Sequence, residues 1–370
     1  MQEDRRYRIW ICSLRDVYEP QITALLRYFG SAKAAFTAPE SEFGAWKRSG
    51  LKWIDSVKDS RTEEYIDQVL KEMKHKGVRC ILRGDEDYPQ RLRPLPDRPY
   101  ALFVRGRIPD AQTPCVAVVG ARACSAYGSQ MASQIAAALT AAGVSVISGM
   151  AYGIDSIAQE TAVEQGGTSL AILGCGADIC YPQGHIGLYN KLLRHGGILS
   201  EFACGTPALP RHFPMRNRLI SALSDAVVVV EAAKRSGSLI TADMALEQGK
   251  DVYAVPGRIG DRLSYGCNHL IRQGAGMVVA AEELIEELGL AGTCSGSGAD
   301  EGTTAGGGAL PPMSEEARRI FGCLGTDPVS LEQICAACGL KIGEALDALL
   351  DLQLSGCVQE SAKNQYMRTG

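Results

Sequence analysis

Residues 210–221, PRHFPMRNRLIS, place three arginines, a histidine and a phenylalanine within one short segment. Arginine side chains bind phosphate through paired N–H donors, and an aromatic ring beside them can stack on a nucleobase. The window 187–218 holds five lysines and arginines against Glu201 alone, although the whole chain has a net charge of -4. Positive charge is therefore concentrated here, and the sequence predicts a proline-bounded loop that binds a polyanion.

The candidate binding residues of this segment are those with a cation, a ring or an amide: Arg211, Phe213, Arg216, Asn217 and Arg218. Two of them have an alternative role, because Phe213 could belong to the core and Arg218 could form an ion pair on a helix surface. The structure around the segment must decide between these roles.

A glycine-containing turn, VVGARACSAYG at residues 118–128, follows a predicted strand. Gly120 permits a tight turn, and Arg122 projects beside the free N–H groups of the following helix, where an anion is stabilised. A phosphate and a neighbouring carboxylate are both suitable partners for this arginine. The spacing differs from G-x-G-x-x-G, so the turn does not predict a dinucleotide cofactor.

A second turn of this kind lies in EAAKRSGSLITADMA, residues 231–245. It offers a cation and small hydrogen-bond donors at the start of a helix: Lys234, Ser236, Gly237 and Ser238. Because the carboxyl ends of parallel strands meet at one edge of a sheet, we expect both turns to lie along the same edge.

The sequence predicts no metal centre, no cofactor and no catalytic residue. Cys335 and Cys338 form the only Cys-x-x-Cys pair, and their spacing suits one face of a helix. His185 lacks a serine or cysteine at a spacing that implies a catalytic partner, and is predicted to be structural. Asp155 stands near a predicted helix start, where a capping role is expected.

From residue 115 onward, apolar runs such as CVAVVG, VSVISG and DAVVVVEA alternate with helical patterns. This alternation predicts an α/β fold with a parallel sheet and helices on both faces. We expect a small helical domain (SAM or helix-hairpin-helix-like) over residues 1–62 and the sheet domain over 63–290. Residues 291–312 are rich in Gly, Ser and Thr, which predicts a flexible linker. We expect a winged-helix-like domain over residues 313–370.

The composition is that of an ordinary globular protein, with 22% charged and 46% hydrophobic residues. The chain has no apolar run near the ~20 residues that a membrane span needs, and it starts without the apolar core of a signal peptide. Its 13 cysteines are scattered, which suits a reducing compartment. The sequence therefore predicts a cytoplasmic protein.

Several long motifs, in order, resemble the DNA-processing protein A family, also called DprA or Smf. They run from VVGAR through SGMAYGIDSIAQ, GCGADICYP, FPMRNRLIS and SGSLITA to VPGRIGDRLSYGCNHLIRQGA. The earlier stretch DEDYPQRLRPLPDRPYALFVRG is similar to that family's lead-in to the sheet. The resemblance covers nearly all of residues 85–280, and the flanking segments match more weakly.

The resemblance implies an extended Rossmann-like sheet through which family members dimerise. It also implies a non-enzymatic role: members bind single-stranded DNA during natural transformation, protect it and load the RecA recombinase onto it. The family's arginine in the first loop falls on Arg122. Its basic and aromatic DNA contacts fall nearest to Arg211, Phe213 and Arg216.

Two other functions belong to the same superfamily of folds. One is a nucleoside-phosphate phosphoribohydrolase, whose catalytic glutamate would fall on Thr241, a residue that cannot ionise for acid catalysis. The other is a nucleotide sensor, because the same loops would hold any phosphate. In the winged-helix-like domain the candidate recognition helix, IGEALDALLDLQL, is acidic, which predicts repulsion from duplex DNA.

Overall fold

The described residues form a nine-stranded sheet at the centre of the larger part of the chain. Its strands are β1 (Arg79–Leu82), β2 (Ala101–Gly106), β3 (Cys115–Val119), β4 (Ser145–Ser148), β5 (Ser169–Leu173), β6 (Gly196–Ser200), β7 (Ala226–Val229), β8 (Asp251–Ala254) and β9 (Gly276–Met277). The order across the sheet is β1-β2-β6-β5-β4-β3-β7-β8-β9. Strands β3 to β9 run parallel, whereas β2 is antiparallel to both β1 and β6.

Helices cover both faces of this sheet, and their bounds are as follows: α1 (Gln2–Cys12), α2 (Glu19–Phe29), α3 (Ala32–Thr37), α4 (Trp53–Asp59), α5 (Glu63–His75), α6 (Ala126–Ala141), α7 (Ile154–Glu164), α8 (Ile186–His195), α9 (His212–Leu223), α10 (Gly237–Glu247), α11 (Tyr265–Arg272) and α12 (Ala281–Glu287). Several begin at a side-chain cap. Thr62, Ser125 and Ser236 each accept a hydrogen bond from a backbone N–H of the first turn of α5, α6 and α10.

Alternate residues of one strand enter different cores, as a sheet covered on both faces requires. In β3, Val116 and Val118 pack against α6 and α7, whereas Ala117 and Val119 pack on the side of α9 and α10. All of these positions are buried. The prediction of an α/β fold with a Rossmann-like parallel sheet is therefore confirmed.

The N-terminal helices share a core with the sheet. Trp10, Leu25 and Phe43 belong to the same buried cluster as Phe103 of β2 and Leu173 of β5. The Trp10 indole donates hydrogen bonds to both oxygens of Ser60, so its one polar atom is satisfied. This packing holds the N-terminal helices against β2 and β5 of the sheet.

A smaller unit contains α13 (Glu315–Cys323), α14 (Leu331–Cys338) and α15 (Ile342–Leu354) with three short strands. These strands, β10 (Val329–Ser330), β11 (Val358–Ala362) and β12 (Gln365–Arg368), pair antiparallel in the order β10-β12-β11. Three helices followed by a β-hairpin are the elements of a winged helix, which confirms the predicted winged-helix-like domain. Cys335 and Cys338 lie on α14, in agreement with the helical prediction.

The computed structural model describes residues 2–43, 53–290, 314–325, 329–362 and 364–368. They fall into two units, one within Met1–Cys294 and the other within Ser295–Gly370. The linker predicted at 291–312 lies outside the described residues, and the domain boundary expected at residue 62 stays a prediction. Within the described ranges, no helix has both the length and the apolar character needed to span a membrane.

Candidate functional site

A pocket of about 130 Å³ opens where β3, β4 and β5 end. Its lining includes Arg122, Gly149, Tyr152, Tyr181, Phe213 and Arg216. The strand order also reverses beside this edge, because the chain continues from β3 to one side and places β7 on the other. Parallel sheets bind ligands at such a reversal, outside the carboxyl ends of the strands.

Residues 212–221 of the arginine-rich segment lie in a helix, α9, where the sequence predicted a loop. That prediction was wrong because a proline is compatible with the first turn of a helix. Pro214 is the third residue of α9, where its missing N–H has no partner to lose within the helix. Leu219 and Ile220 are buried and anchor the rest of the helix against the sheet.

Phe213, in the first turn of α9, is half-buried and lies between the cations of the pocket. The guanidinium carbon of Arg122 is 5.7 Å from the centre of its ring, and that of Arg216 is 6.0 Å away. The Tyr181 ring is tilted against it, with 5.5 Å between ring centres. A side chain at Gly174 would press on this ring, so the glycine lets Phe213 rest on the end of β5.

Arg216 lies inside the protein, with 4% of its surface exposed. Its Nη1 atom donates hydrogen bonds to the carbonyl of Gly149, at 3.0 Å, and to that of Ile172, while Nε has no partner. Burial lowers the pKa of Arg216 to about 10, and the charge of buried Asp155 opposes that shift. The guanidinium thus connects the ends of β4 and β5, and its buried positive charge adds positive potential to the pocket.

Arg122 follows β3 and is exposed. Among the described residues, no carboxylate lies within ion-pairing distance of it, so the guanidinium is available to an anion. It was predicted to act together with the first N–H groups of α6. Two N–H groups at this helix start have partners within the protein: Ser125 donates from its N–H to a carboxylate oxygen of Glu231 at 2.9 Å, and the Ser125 hydroxyl accepts from the N–H of Gly128.

Glu231 is a residue that sequence reasoning missed. It lies two residues after the end of β7 and is 4% exposed, and its two oxygens accept hydrogen bonds from the backbone N–H and the hydroxyl of Ser125. An ionisable residue at the end of the wholly apolar run AVVVV, residues 226–230, is the signal that could have identified it. The carboxylate therefore lies where an external anion would approach the start of α6, and phosphate binding by Arg122 stays a prediction.

The other two arginines of the segment 210–221 pair with carboxylates elsewhere in the protein. Arg211 is exposed and donates to Asp16 at 2.9 Å. Arg218 forms two ion pairs, with Asp97 at 2.7 Å and with Glu201 at 2.8 Å, and only 12% of its side chain is exposed. Two carboxylates thus neutralise Arg218, which agrees with the ion pair given as its alternative role.

The second predicted anion turn lies at the end of β7. Ser236 caps α10, and its hydroxyl is 2.7 Å from that of Ser238. The amide of Asn217, from α9, donates to the carbonyl of Gly237 at 3.3 Å. The exposed ammonium of Lys234 lies 5.7 Å from the ring centre of Tyr265.

The structure therefore brings Arg122, Phe213 and Arg216 into one pocket, and it places Lys234 and its serine turn at the neighbouring strand end. Gly120 is the residue after β3, and it has no room for a side chain because a Cβ there would lie 2.6 Å from Ile154. Tyr152 and Tyr181 were not predicted, although each follows a strand within a glycine-rich turn. The DNA-binding role of every residue named from the sequence stays a prediction.

Comparison with known proteins agrees with this architecture. Residues 79–289 match the family model described as DNA recombination-mediator protein A, and residues 307–362 match the DprA winged helix domain. Protein Smf of Synechocystis is 30% identical over 372 residues, which covers 93% of this chain and 94% of that protein. The DNA processing protein DprA of Streptococcus pneumoniae is 41% identical over 204 residues, covering 55% of this chain and 72% of that protein.

Two solved structures are similar as well. The X-ray structure of DNA processing protein A from Streptococcus pneumoniae superposes with a TM-score of 0.63 at 31% identity, covering 76% of this chain and 97% of that one. DNA processing protein A from Helicobacter pylori, whose structure concerns a single-stranded DNA binding mode, superposes with a TM-score of 0.52 at 29% identity, covering 57% and 95%. This chain therefore belongs to the DNA recombination-mediator protein A family, whose members are named DprA or Smf.

Proposed function

We propose that this chain binds single-stranded DNA in the cytoplasm as a homodimer and loads RecA onto it during natural transformation, without catalysing a reaction. The observation that carries the proposal is the contact between Arg122 and Phe213. An exposed guanidinium, with no carboxylate of the described residues within ion-pairing distance, lies beside a half-buried ring at the carboxyl edge of the sheet. A cation for the phosphate and a ring for the base are the two elements of sequence-independent single-strand binding.

The arrangement favours a polymer over a single nucleotide. Lys234 and the serine turn lie at the end of β7, whereas the pocket lies at the ends of β3, β4 and β5. A DNA strand that contacts both would have its phosphates neutralised by protein cations at more than one place. A homodimer would offer two such surfaces to one strand and so increase the effective concentration of the second contact.

The phosphoribohydrolase alternative has weaker support. Thr241, at the position of that enzyme's glutamate, is 2% exposed within α10. Glu231, a buried carboxylate that contacts the first turn, is already bound to Ser125. Neither residue offers an accessible acid to a glycosidic bond.

Fluorescence anisotropy with labelled oligo-dT, single-stranded and double-stranded, tests DNA binding across a salt series. We expect tighter binding to the single strand, with log K falling against log salt by about 0.7 per phosphate neutralised. Equal affinity for the duplex, or binding weaker than about micromolar, would contradict the proposal. Incubation with nucleoside monophosphates, followed by chromatography, then decides whether a free base is released.

RecA loading is tested separately, by following RecA assembly on an oligonucleotide coated with single-strand binding protein. We expect this chain to shorten the delay before assembly. A native chain that binds DNA and leaves the delay unchanged would contradict the RecA step alone.

A further inference from the structure

Four large apolar side chains are exposed along one side of α15 in the winged-helix unit. Ile342, Leu346, Leu350 and Leu354 expose 59%, 41%, 55% and 79% of their surfaces. They recur every fourth residue and so lie on successive turns of the helix. These residues, called here the α15 stripe, form one continuous apolar strip.

The stripe is separate from the core of its own unit. The residues of α15 that face the core are Ala345, Ala348, Leu349 and Leu352, all of which are buried with α13 and α14. A helix at the surface of a small domain normally has one apolar face, which is buried, and a polar face in water. The α15 stripe is an additional apolar face on the solvent side, and adjoining exposed apolar residues of this kind mark interaction surfaces.

Acidic residues follow one edge of the stripe. Asp347 and Asp351 each precede a stripe leucine by three residues, which places them beside Leu350 and Leu354 on the helix surface. Both carboxylates are exposed, as is that of Glu344. Lys341, at the start of α15, is the only basic residue near this helix in the sequence.

This chemistry opposes the usual role of the third helix in a winged-helix or helix-turn-helix domain. A recognition helix enters the major groove and presents donors to base edges and cations to phosphates. Leucines in contact with the groove would leave polar base edges unpaired, and the three acids would be repelled by the phosphates. The exposed face of α15 therefore suits a protein partner better than DNA.

We propose that the α15 stripe is a docking surface for a basic amphipathic helix of a protein partner. An apolar strip along a straight helix is complementary to the apolar side of a second helix, which binds by residues three and four apart. Lysines or arginines beside that apolar side would pair with Asp347 and Asp351. Two copies of this chain paired through the stripe would bring both acidic edges to one interface, which disfavours a second copy as the occupant. The proposal does not depend on DNA binding by the larger unit.

The test uses the full chain and two labelled model peptides as long as α15. One peptide is an amphipathic helix of leucine and lysine, and the other has glutamate in place of every lysine. Anisotropy at physiological salt is expected to show binding of the leucine-lysine helix, at least roughly tenfold tighter than the leucine-glutamate helix. Failure of the leucine-lysine helix to bind at about 100 μM would overturn the proposal.

Variants then separate the apolar contact from the charge. The double substitution Leu346→Ser with Leu350→Ser is expected to weaken binding by roughly tenfold or more, because two side chains lose their buried apolar contact. Leu246→Ser is the matched control, since Leu246 is 56% exposed on α10, and it should leave binding unchanged. Replacing Asp347 and Asp351 by lysine is expected to reverse the preference toward the leucine-glutamate helix.

Two further measurements identify other occupants. If the Leu346→Ser, Leu350→Ser variant sediments as a smaller species than the native chain, the stripe joins two copies and the proposal is wrong. The proposal is equally wrong if that variant loses affinity for duplex DNA. Circular dichroism melting should be unaltered, because both leucines are exposed in the native fold.

Discussion

Arg211 donates a hydrogen bond to Asp16 at 2.9 Å, although the two residues are 195 positions apart in the sequence. Asp16 lies in the segment between α1 and α2, with a left-handed backbone at φ 58°, which non-glycine residues rarely adopt. The neighbouring Tyr18 hydroxyl is 3.0 Å from Nε2 of His212. The N-terminal segment thus contacts the first turn of α9, one residue before Phe213.

Replacing Asp16 with asparagine should strengthen single-stranded DNA binding. The ion pair is exposed, with 57% of the Arg211 side chain and 53% of the Asp16 side chain in contact with solvent. Such pairs contribute roughly 0.2–1 kcal/mol, so releasing Arg211 should raise affinity up to about fivefold. If Arg211 then neutralises a phosphate, the anisotropy salt slope should steepen by about 0.7.

Two controls accompany this prediction. Asp67→Asn removes the same charge from an exposed ion pair with Arg6, and we expect no gain in affinity. In an Arg211→Ala background the gain from Asp16→Asn should vanish. A gain that persists without Arg211 would show that Asp16 acts through its charge alone.

Arg122→Ala should weaken binding to oligo-dT and flatten the salt dependence. Because Arg122 has no carboxylate partner among the described residues, the substitution removes a cation without exposing a buried charge. We expect the salt slope to decrease by about 0.7, the contribution of one phosphate on a single strand. Arg194→Ala, on the exposed surface of α8, is the matched control and should leave the slope unchanged. An identical slope for the native chain and the Arg122 variant would remove this residue from the binding site.

Phe213→Ala should reduce affinity without changing the salt slope. Loss of a stacked base costs about 1–3 kcal/mol, equivalent to roughly 5- to 150-fold in affinity, and stacking releases no counterions. Phe213→Tyr keeps the ring and should retain most of the binding. If Phe213→Tyr loses as much as Phe213→Ala, the ring has a packing role against Tyr181 instead.

The sheet was predictable from the sequence because the evidence for it is local. Continuous apolar runs such as CVAVVG and AVVVV identify strands covered on both faces, and β3 and β7 lie where those runs do. The antiparallel placement of β2 between β1 and β6 was not predictable, since strand pairing depends on distant residues. The helical start of α9 was missed because Pro214 signals a loop and a first helical turn equally well.

The roles of individual cations depend on tertiary partners that the sequence does not reveal. Arg216 and Arg218 are two residues apart, yet one binds the carbonyl of Gly149 inside the pocket and the other forms ion pairs with Asp97 and Glu201. Glu201 lies 17 positions away from Arg218 and Asp97 lies 121 away, so no local pattern could assign these pairs. Residue types identified the cationic segment, and only the fold distinguishes its buried cations from its exposed ones.

His212 should make the stability of the larger unit depend on pH. The imidazole is fully buried, stacked on Phe202 with 4.1 Å between ring centres, and Nδ1 lies 3.1 Å from the carbonyl of Gly174. Burial lowers the pKa of His212 from its ordinary value near 6.5. In the unfolded chain the imidazole therefore takes up a proton at a higher pH than in the folded chain.

The unfolded state consequently binds more protons between the folded-state pKa and about pH 6.5. Above about pH 6.5 this group should not affect the free energy of unfolding. As the pH decreases through the window, the free energy of unfolding should fall by up to about 1.4 kcal/mol per pH unit. Urea unfolding at about pH 7.5 and pH 5.5 measures the change. We expect His212→Gln to lose less stability between these two pH values than the native chain, whatever its stability at either one.

His195→Gln is the matched control, since His195 is exposed at the end of α8, and its loss should equal that of the native chain. Equal losses for the native chain and the His212 variant would mean that the buried imidazole does not titrate in this range. A smaller loss for His212→Gln would show that protonation of His212, in the first turn of α9, destabilises the fold. Acid would then weaken the contact of His212 with Tyr18 and Gly174 that places Phe213 at the pocket.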